Sequence, residues 1–179
     1  MTREQLEHLI RAAAVIAADD TIVVIGSQAL LGQFPEAPAS MRISVEADLF
    51  PLHHSERADL IDGSIGELSP FHETFGYYAH GVDEATARLP AGWKERLVVV
   101  QNENTRGAKG LCLEIHDLVI AKAVAGREKD LAFLAEAAKH RMADPELLRQ
   151  RLAQLDADPA VKEAVRLAIE RAFSDAARQ

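Results

Sequence analysis

Glu46 and Asp48 are separated by a single residue in a stretch, 42–49, that alternates between polar and apolar side chains. Ile43, Val45, Ala47 and Leu49 fall on one side, and Arg42, Ser44, Glu46 and Asp48 on the other. Residues two apart on a strand share a face, so the two carboxylates stand side by side, roughly 7 Å apart at Cα. Magnesium prefers hard oxygen donors and is commonly held by one or two carboxylates together with substrate phosphates. Upstream, Gly26-Ser27 ends an apolar β-branched run, 21–25, and precedes a short helical pattern over 28–31. Backbone N–H groups at such a helix entry suit phosphate, and Ser27 adds a hydroxyl donor. Each motif also has a plain structural use. Gly-Ser is a common helix entry, Glu-x-Asp is often a solvated strand face, and Arg42 beside it can form a surface ion pair of little energetic weight. The order and spacing of the two motifs together favour a site.

A second constellation lies in 116–130, where Lys122, Arg127, Lys129 and Asp130 surround Gly126. On a continuous helix Lys122, Lys129 and Asp130 fall along one stripe. Glycine lowers helix propensity there but lets a ligand or strand approach the backbone. The competing reading is a charged outer helix with an Arg127–Asp130 pair at i,i+3. Other polar residues carry less. His53 and His54 diverge by about 100° on a helix and do not share an ion easily. His72, His80 and His140 show no ligand spacing, Cys112 suits a buried small hydrophobe, and Tyr77 and Tyr78 suit core packing. A P-loop lysine motif and G-x-G-x-x-G are both missing from the sequence.

The Gly26-Ser27 and Glu46-Ala47-Asp48 motifs together resemble the signature of the DNA polymerase beta-like nucleotidyltransferases. The gap between them is longer than is usual in that family, and Glu46 stands where Asp is more common. The segment 116–130 is similar to bacterial nucleotidyltransferase-like proteins related to abortive-infection and toxin–antitoxin systems. Ser69-Pro70-Phe71-His72 and Leu89-Pro90-Ala91-Gly92-Trp93 are also similar to an uncharacterised bacterial subfamily of that group, so the resemblance spans 22–130. It implies a transfer of a nucleoside monophosphate from a nucleoside triphosphate to a hydroxyl acceptor, with Mg²⁺ as cofactor. Glu46, Asp48, Lys122 and Asp130 are then the catalytic residues. Gly26, Ser27, Lys122, Arg127 and Lys129 bind the nucleotide, and Glu46, Asp48 and a third acid bind metal. Glu114 is the candidate third acid, on the polar side of 111–115 with Cys112; Glu103 lies in a turn-rich segment. A tRNA end or a protein side chain is the implied acceptor, and an antitoxin or toxin the implied partner. The rival reading keeps the scaffold but makes it a protein-binding module without catalysis.

The elements that must hold these residues follow from pattern. Thr2 and Gln5 form a capping box ahead of Leu6, Leu9, Ile10, Ala13, Ala14 and Ala17 at helical spacing. Strands are expected at 21–25, 42–49, 75–79, 96–101 and 111–115, with a helix at 54–61. From 116 onward the pattern is helical. Gly126 interrupts it, and Asp144-Pro145 and Asp158-Pro159 open the last two helices. The expected fold is α/β: a nucleotidyltransferase core of a small mixed sheet flanked by helices over 1–115, with a C-terminal helical region over 116–179.

With 179 residues the chain can bury a core without staples, and its single cysteine excludes internal disulfides and zinc-ribbon patterns. No apolar run reaches the roughly 20 residues of a membrane span, and the polar start lacks a signal core. The expected location is the cytoplasm, with no membrane partner. A net charge of −8 argues against a broad basic surface for duplex nucleic acid, though not against a local basic site.

Overall fold

The computed structural model describes residues 1–178. Thr2 caps helix α1 (Arg3–Ala17) through the expected box with Gln5, and the helix ends at Ala18 in the left-handed region, φ 48°. The apolar face of α1 is fully covered, with Leu6, Leu9, Ile10 and Ala13 all at zero exposure. Strand β1 (Thr21–Val24) is buried throughout, as its β-branched composition requires. A 3₁₀ turn and the short helix α2 (Leu30–Gln33) follow. Strand β2 (Glu46–Pro51) then leads through α3 (Ala58–Ile65) and α4 (Pro70–Phe75) to β3 (Tyr78–Gly81). Strands β4 (Val98–Val100) and β5 (Lys109–Cys112) complete a five-stranded mixed sheet of order β3-β2-β1-β5-β4. β1 runs antiparallel to β2 and parallel to β5, while β2 and β3 are parallel.

Contacts divide the chain into two compact units, Met1–Thr86 with Leu97–Glu114, and Ala87–Arg96 with Ile115–Gln179. The first holds the sheet. Ile22 and Val24 of β1 share a face with Leu49 and Cys112 on the neighbouring strands, and a Cβ on Gly110 of that face would meet Ile10 of α1. The second is helical: α5 (Ile115–Ala125), α6 (Glu128–Lys139), α7 (Pro145–Ala153) and α8 (Pro159–Ala176). Asp144 caps α7 by accepting from the Glu146 and Leu147 N–H groups, with Pro145 in the first turn. The segment 87–96 joins these helices through a Pro90–Leu155 bridge and a 3.0 Å bond from Ala91 N–H to the Gln154 carbonyl. Its other anchor is Arg96, whose guanidinium donates two bonds, 2.7 and 3.0 Å, to the fully buried Asp117 carboxylate on α5. Among the described residues no helix is long and apolar enough to cross a membrane.

Several elements fall elsewhere than the pattern predicts. β2 begins at Glu46 rather than 42. Ile43 is 78 % exposed, the Arg42 and Ser44 carbonyls accept from the Met1 amino group, and the Ser44 hydroxyl folds onto the Glu46 backbone. Residues 75–79 split instead of forming a strand. Ser69 caps α4 with Pro70 behind it, and Gly76 at φ 74° ends that helix just before β3. The 54–61 helix moves to 58–65 behind a 3₁₀ turn, and the 96–101 strand shrinks to β4 behind another. The last strand runs 109–112, so Glu114 lies beyond it, and Cys112 is wholly buried rather than on a polar side. Burial pushes the Cys112 thiol up to about 12, which leaves it an inert packing residue.

Asp117→Ala leaves the Arg96 charge without the carboxylate that fixes it. We predict a loss of about 3–5 kcal/mol, read as a lowered urea midpoint by far-UV circular dichroism. A change below about 1 kcal/mol would mean that 87–96 is held by its backbone bonds instead.

Candidate functional site

The two acids stand on one face of β2, and the parallel register with β3 sets Tyr78 opposite Glu46 and His80 opposite Asp48. Directly paired residues point to the same face, so the four side chains converge. The Tyr78 hydroxyl donates to Glu46 Oε2 at 2.9 Å. His80 Nδ1 lies 3.2 Å from Asp48 Oδ1 and 3.4 Å from Glu46 Oε1. One donor atom from each of Glu46, Asp48 and His80 falls within 4.8 Å of the other two. The carboxylates are 35 % and 28 % exposed and the imidazole 50 %, so the cluster is open to a ligand. Partial burial first, then the Glu46 bond and the charges of Glu46, Glu67 and Asp48, push the Tyr78 phenol up to about 12. It stays protonated and restrains one oxygen of Glu46, leaving the other beside His80.

Gly26 reaches this cluster through the backbone. Ile25 N–H donates to the Asp48 carbonyl at 3.0 Å, extending the β1–β2 ladder by one bond past Val24. Gly26 follows at φ −76°, a conformation open to any residue, so space rather than torsion requires glycine. A Cβ there would stand 2.1 Å from Asp48 Oδ2 and 2.8 Å from its Cγ. Ser27, half-buried, is the next residue, and its hydroxyl oxygen accepts from the Gln28 amide at 3.3 Å. The donor set of two carboxylates and one imidazole nitrogen fits a divalent cation. Glu114, half-buried two residues past β5, belongs to no such group among the described residues.

Lys122, Arg127, Lys129 and Asp130 lie in the second unit. They do not share a continuous helix, because Gly126 takes φ 64° and α5 and α6 meet at it as separate helices. The turn nevertheless gathers three of the four. Asp130, 1 % exposed at its side chain, accepts from Arg127 Nε at 2.6 Å and lies 3.2 Å from Lys122 Nζ. Burial alone would raise its pKa; the Arg127 bond and the Lys122 charge outweigh that and hold the carboxyl below its ordinary range. Lys129 is exposed.

His80 was not legible from spacing, since its role depends on the parallel pairing of β2 and β3 across the α3–α4 crossover. A second triplet, Asp19, Asp20 and His53, also lies within 4.8 Å, and it has a structural explanation. The buried Asp19 carboxylate accepts from the N–H groups of Thr21, His53 and His54 at 2.7–3.1 Å, and His53 Nδ1 stands 3.0 Å away. It fastens the start of β1 to the end of β2.

The model of a family described as a nucleotidyltransferase of unknown function (DUF6036) matches residues 4–177. No curated protein and no solved structure matches the chain.

Two outcomes follow from this geometry. Gly26→Ala displaces the Asp48 carboxylate; we predict about 1–3 kcal/mol of destabilisation and divalent-cation affinity lowered about tenfold or more, measured by urea titration and calorimetry. Unchanged affinity would show that Asp48 does not need its present position. Asp130 has a depressed folded pKa, so its stabilisation is present above the unfolded value of about 3.9 and fades as pH falls through the folded one. Asp130→Asn should therefore lower stability at pH 7 and flatten its decline below about pH 4, as followed by urea unfolding across pH; parallel curves for the two proteins would refute this.

Proposed function

Since the chain belongs to this nucleotidyltransferase family, we propose that it moves a nucleoside monophosphate from a nucleoside triphosphate to a hydroxyl on RNA or protein, with Mg²⁺ held by Glu46 and Asp48. The observation that carries this reading is the close approach of Gly26, in the turn after β1, to Asp48 on the strand that also bears Glu46, within a family named for that chemistry. The acceptor hydroxyl loses its proton to solvent as its oxygen attacks the α-phosphorus, the bond from that phosphorus to the bridging oxygen breaks, and pyrophosphate leaves with the electron pair. Glu46 and Asp48 would hold a Mg²⁺ whose charge would neutralise that of the phosphates. Glu46 and Asp48 orient that charge from a rigid strand. Gly26 leaves room for the Asp48 carboxylate, and Ser27 with its backbone N–H offers donors to phosphate oxygens.

The resemblance in 116–130 assigns Lys122 and Arg127 to the charge on the leaving group, with Lys129 as a further nucleotide contact. Asp130 holds Lys122 and Arg127 in place by the ion pairs described above. The same resemblance suggests a setting in toxin–antitoxin or phage-defence systems, with a tRNA end or a protein side chain as acceptor.

Calorimetric titration with each of the four nucleoside triphosphates, with and without Mg²⁺, tests the reading. Wild type should bind at least one in a metal-dependent manner, and the Glu46→Ala/Asp48→Ala double variant should lose about 10–100-fold in that affinity. Well-folded wild type that binds none would leave the rival reading, a scaffold that acts through a protein partner.

A further inference from the structure

We infer that His80 is the third protein donor to the divalent cation, and that it shifts the preference of the site from Mg²⁺ towards Mn²⁺. This rests on the nucleotidyltransferase reading and adds to it a ligand and a metal class. An octahedral ion with bonds of about 2.1 Å places adjacent donors about 3 Å apart. The His80 Nδ1 distances to the two carboxylate oxygens, 3.2 and 3.4 Å, already come close to that spacing. Coordination requires the Nδ1 lone pair, so the ion takes the place of any proton there.

Each donor is restrained by something other than the ion. Register fixes His80 against Asp48, the Tyr78 hydroxyl holds one oxygen of Glu46, and the Gly26 backbone closes off one side of the Asp48 carboxylate. Three protein donors would leave room at a bound ion for phosphate oxygens and water. An all-oxygen set suits Mg²⁺, which binds imidazole poorly. Replacing one oxygen by an imidazole nitrogen raises affinity for first-row transition ions, and Mn²⁺ is the one that retains the preference for carboxylate and phosphate.

The test titrates Mn²⁺ alone into the full chain, with unbound Mn²⁺ read by its electron paramagnetic resonance signal and Mg²⁺ added as competitor. Wild type should bind Mn²⁺ and release it only to an excess of Mg²⁺ of about tenfold or more. His80→Ala should weaken Mn²⁺ binding about 10–100-fold with little change for Mg²⁺. His80→Asp should restore binding while abolishing the preference. Pulsed resonance of bound Mn²⁺ should show nitrogen modulation in wild type and lose it in both variants, a signature that a merely structural histidine would not produce. Mn²⁺ bound to wild type without nitrogen modulation, or an affinity unchanged in His80→Ala, overturns the assignment of His80 and leaves the carboxylate site standing. Mn²⁺ affinity equal in wild type and in Glu46→Ala/Asp48→Ala overturns both readings at once.

Discussion

The Asp48 carboxylate packs so closely against the Gly26 backbone that no side chain fits between them. That contact links the two motifs the sequence separates. It requires β1 to end where it does, after Ile25 has given its N–H to the Asp48 carbonyl, and it starts the turn into α2 directly beside the acids. Register propagates the constraint outward. With Asp48 placed by β1, the parallel pairing with β3 leaves one position for His80 and one for Tyr78, both on the acid face. A slip of one residue along β3 would turn both side chains to the opposite face.

The acids of this protein fall into two electrostatic classes. Asp117, Asp130 and Asp19 are buried, and each is surrounded by donors that fully engage it: the Arg96 fork, the Arg127 and Lys122 cations, or a set of backbone N–H groups. Removing such partners is costly, because an ionised carboxylate out of water needs compensation. Glu46 and Asp48 are built differently. They remain partly exposed and face a phenol and an imidazole. The first arrangement suits architecture, the second an exchangeable cation.

Much of this was legible in the sequence, and the misses have physical causes. Helix caps were readable because they are local: Thr2 with Gln5, Asp144 with Pro145, and the break at Gly126 all lie where side-chain chemistry places them. The Glu46-Ala47-Asp48 pair was readable from alternation, yet the same alternation overran the strand. The 42–45 segment bonds to the Met1 amino group and the Ser44 hydroxyl, partners that polarity patterns do not encode. The strand expected at 75–79 yielded to Ser69-Pro70 and Gly76, whose capping strength outweighed an aromatic run. His80 was invisible for a deeper reason. Its neighbours are decided by a crossover, and a parallel register cannot be computed from either strand alone.

β3 is four residues long and lies at the edge of the sheet, with β2 as its single neighbouring strand. Edge strands open at lower free energy than central ones, in cooperative steps smaller than global unfolding. Peeling β3 away would carry off His80 and Tyr78 and strip Glu46 of its cross-strand support, while Asp48 kept its bond to Ile25 and its contact with Gly26. The cluster is thus divided between an inner strand and the rim of the sheet. Ligand occupancy would couple the two, so that filling the cluster also raises the hydrogen-exchange protection of the sheet edge.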